Sequence, residues 1–356
     1  MCENNEFIEK LNNQLKSSYR KYKTNVYYNT YDAIPRAKLS EFEYINFKDK
    51  NTDETTSHDF NEKFEEYFEN FAYELSENFD DVIDNIIDKI GIISTPKKIN
   101  GPKHDEQIIS NISQASSDVS KIHYFIDLPI EGQILGVLWI LRCGYVLDDR
   151  LYEHCYANRL NSVLLENLKN EDYGEKCEFT PFIFQPYYQR YQSWRDNGLD
   201  SVKKLLNENQ DVIMFSLDFQ DYYYRSLIDF DDLILDIKRT EKKLKIKKSK
   251  DDKKFDVKLN EYIRRVFEEY SERFNRPHKD EYPMIPLGFL PSLIIANWNL
   301  QGFDKVILNN VNPFYYGRYV DDVLIVFGLH KKSESYEDPE IDHMNVDSIL
   351  RTLSII

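Results

Sequence analysis

The run YVDDVLIVF, residues 319–327, sets two carboxylates directly before five apolar residues. Five consecutive apolar residues, bounded by polar ones, make a buried strand. A buried strand cannot take two charges into its interior, so the charges must stay at its mouth. GRY precedes them, and the simplest local structure is a hairpin with Asp321 and Asp322 at its tip. Burying an unpaired carboxylate is costly, so acids anchored to such a strand need a counter-charge. A divalent cation fits, because Mg²⁺ takes one or two carboxylates together with substrate phosphates. Adjacent aspartates alone mean little here. They recur at 80–81, 148–149, 231–232 and 251–252 in a chain with 62 acids. The flanking strands, not the pair, single out 321–322.

A second run has the same build. VIMFSLD, residues 212–218, is an apolar stretch ending in an acid and reads as another buried strand. If the two strands are neighbours, Asp218, Asp321 and Asp322 converge. Two ions about 4 Å apart could then activate a 3′-hydroxyl and stabilise departing pyrophosphate. That is the chemistry of nucleotidyl transfer, in which positioning and charge neutralisation dominate.

Elsewhere the chain alternates helical and irregular stretches. Residues 60–92 repeat apolar positions at three and four, with Phe60, Phe64, Phe68, Phe71 and Leu75 in one stripe, and Gly91 a plausible stop. Residues 94–106 read as loop. Residues 131–170 read as helix, turn and helix. Tyr187, Tyr191 and Trp194 recur at helical spacing, with Gly198 a candidate end. They could stack bases, although such a stripe is more often core. Residues 259–275 and 292–300 are helical, and short strands are expected near 314–320 and 323–327. This order suits an α+β fold, a sheet with helices on one face.

Three segments together resemble the reverse transcriptases. FSLDFQDYYYRSLI is similar to their motif A, IPLGFLPSLIIANWNLQGFD to motif B and RYVDDVLIVF to motif C, in the right order. The resemblance implies a right-hand polymerase palm, an antiparallel sheet with helices on one face, over residues 212–330. It further implies a fingers-like helical region at 121–211; residues 1–120 read as a largely helical N-terminal region that resembles no named family and is left unassigned, and residues 331–356 depart from the family in showing no recognisable thumb. Asp218, Asp321 and Asp322 would be the catalytic metal ligands for Mg²⁺ or Mn²⁺. Tyr223 matches the gate that crowds a ribose 2′-hydroxyl and so selects dNTPs. Asp221, Gly288 and Ser292 fall where family members meet the incoming nucleotide. Asn297 and Asp304 match a downstream pattern of structural character. Leu287 stands where the family has Gln, and Pro291-Ser292 reverses the usual order. Cations must also meet the triphosphate. Arg159 and Arg142 are the first candidates, with Arg36 and Lys38 behind them. RCGYVLDDRLYEHCYANRL and YYQRYQSWRDNGL are similar to segments of the abortive-infection and defence-associated bacterial members. That likeness implies an anti-phage role, with synthesis that in some relatives needs no template or starts on a protein hydroxyl.

Composition narrows the partners. The chain carries a formal charge of −16, which by itself argues against nucleic-acid binding. The basic insertion at 238–258 departs from this, with eleven Lys/Arg against four acids. Lys242, Lys243, Lys245, Lys247 and Lys248 are candidate phosphate contacts, or else a solvated, partly disordered loop. RNA or DNA, including a dedicated non-coding RNA, a protein partner and a second copy of the chain all remain open as partners. Alternatives to the DNA polymerase are a nucleic-acid-binding palm subunit and an RNA polymerase. The scattered Cys2, Cys143, Cys155 and Cys177, a polar N-terminus and the lack of an 18-residue apolar run point to the cytoplasm, without a membrane span.

Overall fold

A computed structural model describes residues 2–28, 33–48, 57–100, 118–169, 180–274 and 282–329. Four helices come first: α1 (Cys2–Tyr28), α2 (Ala33–Phe47), α3 (Ser57–Glu77) and α4 (Phe79–Ile87). An antiparallel pair follows, β1 (Gly91–Asn100) and β2 (Asp118–Asp127). Then come α5 (Ile130–Trp139), a π-helical turn at Ile140–Gly144, α6 (Tyr145–Asp148), α7 (Ser162–Lys169) and α8 (Tyr187–Asn207). The remainder runs β3 (Asp211–Asp218), α9 (Tyr222–Arg225), α10 (Phe230–Leu244), α11 (Lys250–Arg273), α12 (Leu290–Asn299), α13 (Gln301–Val306), β4 (Tyr315–Tyr319) and β5 (Asp322–Leu329). The result is an α+β protein.

The apolar run after Asp322 is the central strand of a three-stranded antiparallel sheet of order β3-β5-β4. Residues 323–327 of β5 are all buried. Their side chains alternate between the two faces. Val323, Ile325 and Phe327 face Ile307 and Tyr316, whereas Leu324 and Val326 face Trp194 and Leu205 of α8. Helices therefore cover both faces, not one. β3 departs from the expected buried strand. It is an edge strand among the described residues, and Met214, Ser216 and Asp218 are exposed.

Local corrections follow from packing. Gly198 does not end its helix, which continues to Asn207. A Cβ there would lie 2.3 Å from Leu324 Cδ2, so the glycine lets α8 settle on the sheet. Gly91 opens a strand, and residues 94–100, read as loop, belong to β1. β2 crosses the expected boundary at 120/121. The stretch Ile130–Asp148 is long and apolar enough to cross a bilayer, but 94% of it is buried inside the protein. It is the core helix, packed by α1, α11 and α12.

Its π-turn carries Arg142, which is 3% exposed. The guanidinium binds Asp256 at 2.7 Å, Asp252 at 2.9 Å and the Gln14 side chain at 2.6 Å. Arg142 thus ties α1 and α11 to the core and has no access to a triphosphate. The basic insertion is likewise structural. It forms the end of α10, a tight turn and the start of α11, with Ser249 accepting the Asp252 amide as N-cap. Lys248 is half-buried, bound to Asp256 at 2.7 Å and to the Arg142 carbonyl at 2.9 Å. Of the lysines read as phosphate contacts it is therefore a packing element. Lys242, Lys243, Lys245 and Lys247 are exposed.

Candidate active site at the strand tips

The two acidic strands are neighbours. Asp218 pairs with Asp322 across β3 and β5, and Tyr319 pairs with Asp322 across β4 and β5. The connecting turn is Val320-Asp321. Its carbonyl at Asp321 accepts the Phe219 amide at 3.2 Å, which ties the end of β3 to the turn before β5. Val320 has φ 55°, a left-handed value that a β-branched residue rarely takes. That conformation costs roughly 1–2 kcal/mol and has to be held by its surroundings.

Arg318 holds it. This side chain is fully buried and donates from Nη1 to the Val320 carbonyl at 3.0 Å. Its fork meets both Asp304 oxygens at 2.8 Å, and Nη1 also reaches Asn297 Oδ1 at 3.1 Å. Asn297 in turn donates to the Ala157 carbonyl at 2.8 Å. The structural character expected of Asn297 and Asp304 has a physical basis here. They anchor the arginine that shapes the acidic turn.

The carboxylates are poorly compensated. Burial pushes the Asp321 carboxyl above the usual range, Asp322 and Asp218 push it further, and Lys97 offsets part of the rise. Asp322 is raised by burial and then by Asp218. Among the described residues, no three His, Cys, Asp or Glu side chains are grouped tightly enough to hold a metal as they stand. The donor chemistry nonetheless fits a hard cation. The three residues offer only carboxylate oxygens, and two of them are raised by burial and by their neighbouring carboxylates, a charge a cation would offset.

Asp221 adopts φ 56° and starts the short helix that carries Tyr223. The Tyr223 hydroxyl is pushed up by burial, with Tyr222 and Asp321 adding to it, so the ring lies within electrostatic reach of the acidic turn. Tyr222 is buried and donates to the Ala296 carbonyl at 2.8 Å, which fixes the helix on α12. Gly288 takes φ 86°, and the neighbouring Leu287 carbonyl accepts the Ile126 amide at 2.8 Å. Gly288→Ala is expected to cost about 1–2 kcal/mol from the left-handed backbone alone. Its Cβ would also press on Phe125 at 3.3 Å. A denaturant melt checks this. Ser292 is 1% exposed, and its hydroxyl has no hydrogen-bond partner among the described residues. In this form it does not reach a solvent-borne nucleotide.

Arg159 is also corrected. Its guanidinium bonds Asp148 at 3.0 Å and the carbonyls of Cys155 and Asp148. Lys38 pairs with Asp127, and Arg36 lies over the Tyr27 ring and donates to the Tyr27 carbonyl. The cations that do face the site come from the β1–β2 hairpin. Lys121 Nζ lies 3.9 Å from the Asp221 carboxylate, and Lys97 bears on Asp321 and on His123. None of these was singled out from the sequence. The one available signal was the β-branched and aromatic content of VSKIHYFI, residues 119–126.

No known protein-family profile matches the chain, and no curated protein matches it.

Proposed function

We propose that the chain is a reverse-transcriptase-type DNA polymerase that adds dNTPs by two-metal nucleotidyl transfer and serves in bacterial anti-phage defence. The observation that supports this most is the Asp218–Asp322 cross-strand pair, with the Asp321 turn bonded to Phe219. Asp218, Asp321 and Asp322 are the residues that would hold Mg²⁺ or Mn²⁺. Bound there, the ions supply the positive charge that an attacking 3′-hydroxyl and a departing pyrophosphate need. Tyr223, on the short helix that follows β3 and at the position matching the family's sugar gate, supports a preference for deoxynucleotides. Lys97 and Lys121 supply charge for the phosphates in place of Arg159 and Arg142. The defence role is supported by the sequence likeness in the segments before motif A.

The test is incorporation of each labelled dNTP and NTP, with and without added primer-template, beside an Asp321→Asn/Asp322→Asn variant. The expected result is polymer from dNTPs in the native chain alone. Tyr223→Ala is expected to erode discrimination against NTPs by tenfold or more, roughly 1.4 kcal/mol. Folded native protein that makes no product with any nucleotide or primer would overturn the proposal. So would equal use of dNTPs and NTPs.

A further inference from the structure

Helix α8 begins beside the acidic turn, and its first turns overhang the sheet. Trp194 is buried, and its indole donates to the Gly317 carbonyl at 3.1 Å. Toward the N-terminus the same stripe rises out of the core. Tyr191 is 43% exposed, Tyr188 60% and Tyr187 63%. Tyr191 meets the Tyr319 ring edge-on at 5.3 Å, and Tyr319 is the residue before the Val320-Asp321 turn. A continuous aromatic surface therefore runs from α8 to the carboxylates. In a chain of net charge −16, the nine residues 187–195 hold two arginines and no acid, with Arg195 paired to Asp196 at 2.8 Å and Arg190 donating to the Tyr156 carbonyl at 3.0 Å.

Isolated exposed tyrosines are ordinary, but three on one helical end, interleaved with arginine, form a patch. Aromatic rings alternating with cations suit unpaired bases on a phosphate chain, since every base offers a π-face. We infer that Tyr187, Tyr188 and Tyr191 form a stacking platform for a single-stranded nucleic-acid end, leading it past Tyr319 to the acidic turn. This deepens the polymerase reading and rests on it for the direction of the strand. The binding itself does not depend on catalysis.

The test is fluorescence anisotropy with labelled single-stranded oligothymidylate and with an abasic strand of the same length, in EDTA. The native chain is expected to bind the base-bearing strand about tenfold more tightly. Tyr188→Ala and Tyr187→Ala/Tyr191→Ala should each remove most of that preference, while the corresponding Phe variants keep it. Arg190 and Arg195 both have partners within the protein, so at most two phosphates are neutralised here and the logarithmic salt slope should be no steeper than roughly −1.4. Equal affinity for the two strands would overturn the platform. So would unchanged binding in folded Ala variants, or Ala variants that instead lose self-association by light scattering. A chain that shows the preference yet incorporates no dNTP keeps the platform and loses the polymerase reading. A chain that incorporates dNTPs and extends added primers equally well in the Ala variants does the reverse.

Discussion

Asp321→Asn is expected to stop nucleotide incorporation while making the protein harder to unfold. The loss of activity should be at least a thousandfold, about 4 kcal/mol of barrier. The gain in stability follows from charge. Burial, then Asp322 and Asp218, raise the Asp321 carboxyl in the folded chain. A carboxyl raised on folding binds its proton more tightly in the folded than in the unfolded state. Its contribution to stability therefore falls as pH rises from the ordinary carboxylate range through the raised folded value. At neutral pH the repulsion is fully present, and the neutral amide removes it. Solvent screening at this half-buried site keeps the gain modest, a few degrees in the melting midpoint. Melts between about pH 4 and pH 8 check the sign, because the native chain should lose more stability toward neutral pH than the variant. An Asp321→Asn protein that melts lower than the native chain at every pH would show the aspartate to be a structural anchor instead.

Arg318→Met is expected to be the most damaging single change to the fold. It leaves the Asp304 carboxylate buried, 3% exposed, without its bidentate partner. Breaking a buried pair from one side costs about 3–5 kcal/mol. That is a large share of the 5–15 kcal/mol typical of a folded domain. It also removes the donor to the Val320 carbonyl, so the strained turn loses its clamp. Asp304→Leu alone should be similarly severe, since it strands the guanidinium. The double variant Arg318→Met/Asp304→Leu should recover part of the loss, because no uncompensated charge remains. Urea unfolding of the three variants measures this, and a double variant as unstable as the sum of the singles would remove the pair as the cause.

The parts of the site read from the sequence are those where local pattern dictates structure. The acids at 321 and 322 had to be at a hairpin tip, because 323–327 is uninterruptedly apolar. Three of the four other adjacent aspartate pairs also have local explanations. The pairs at 80–81, 231–232 and 251–252 lie in first turns of helices, where the helix dipole favours them. What escaped is set by distant contacts. Nothing local to Arg159 or Arg142 shows that Asp148, Asp252 and Asp256 satisfy them. Lys248 lies among exposed lysines yet packs inward. Gly198 looks like a stop until Leu324 is seen above it. β1 was missed because Pro96 and the paired lysines at 97–98 weaken a strand reading. The strand accommodates them with register shifts at that point. With it went the hairpin cations Lys97 and Lys121.

The β1–β2 hairpin has a further consequence for how the molecule can move. Its inner strand is fastened along its length. The Tyr124 amide donates to the Tyr224 hydroxyl at 3.0 Å, and the Tyr270 hydroxyl donates to the Tyr124 carbonyl at 2.8 Å. Ile126 bonds Leu287, and Gln133 just beyond donates to the Gly288 carbonyl at 3.1 Å. Phe125 cannot swing outward without pulling on Gly288 and the start of α12. The inner strand of the hairpin and the segment at 287–288 are therefore bonded to one another, so the hairpin is not a free flap. A displacement of the strand that carries Lys121 would therefore have to break the Ile126–Leu287 bond or carry the backbone at Gly288 with it.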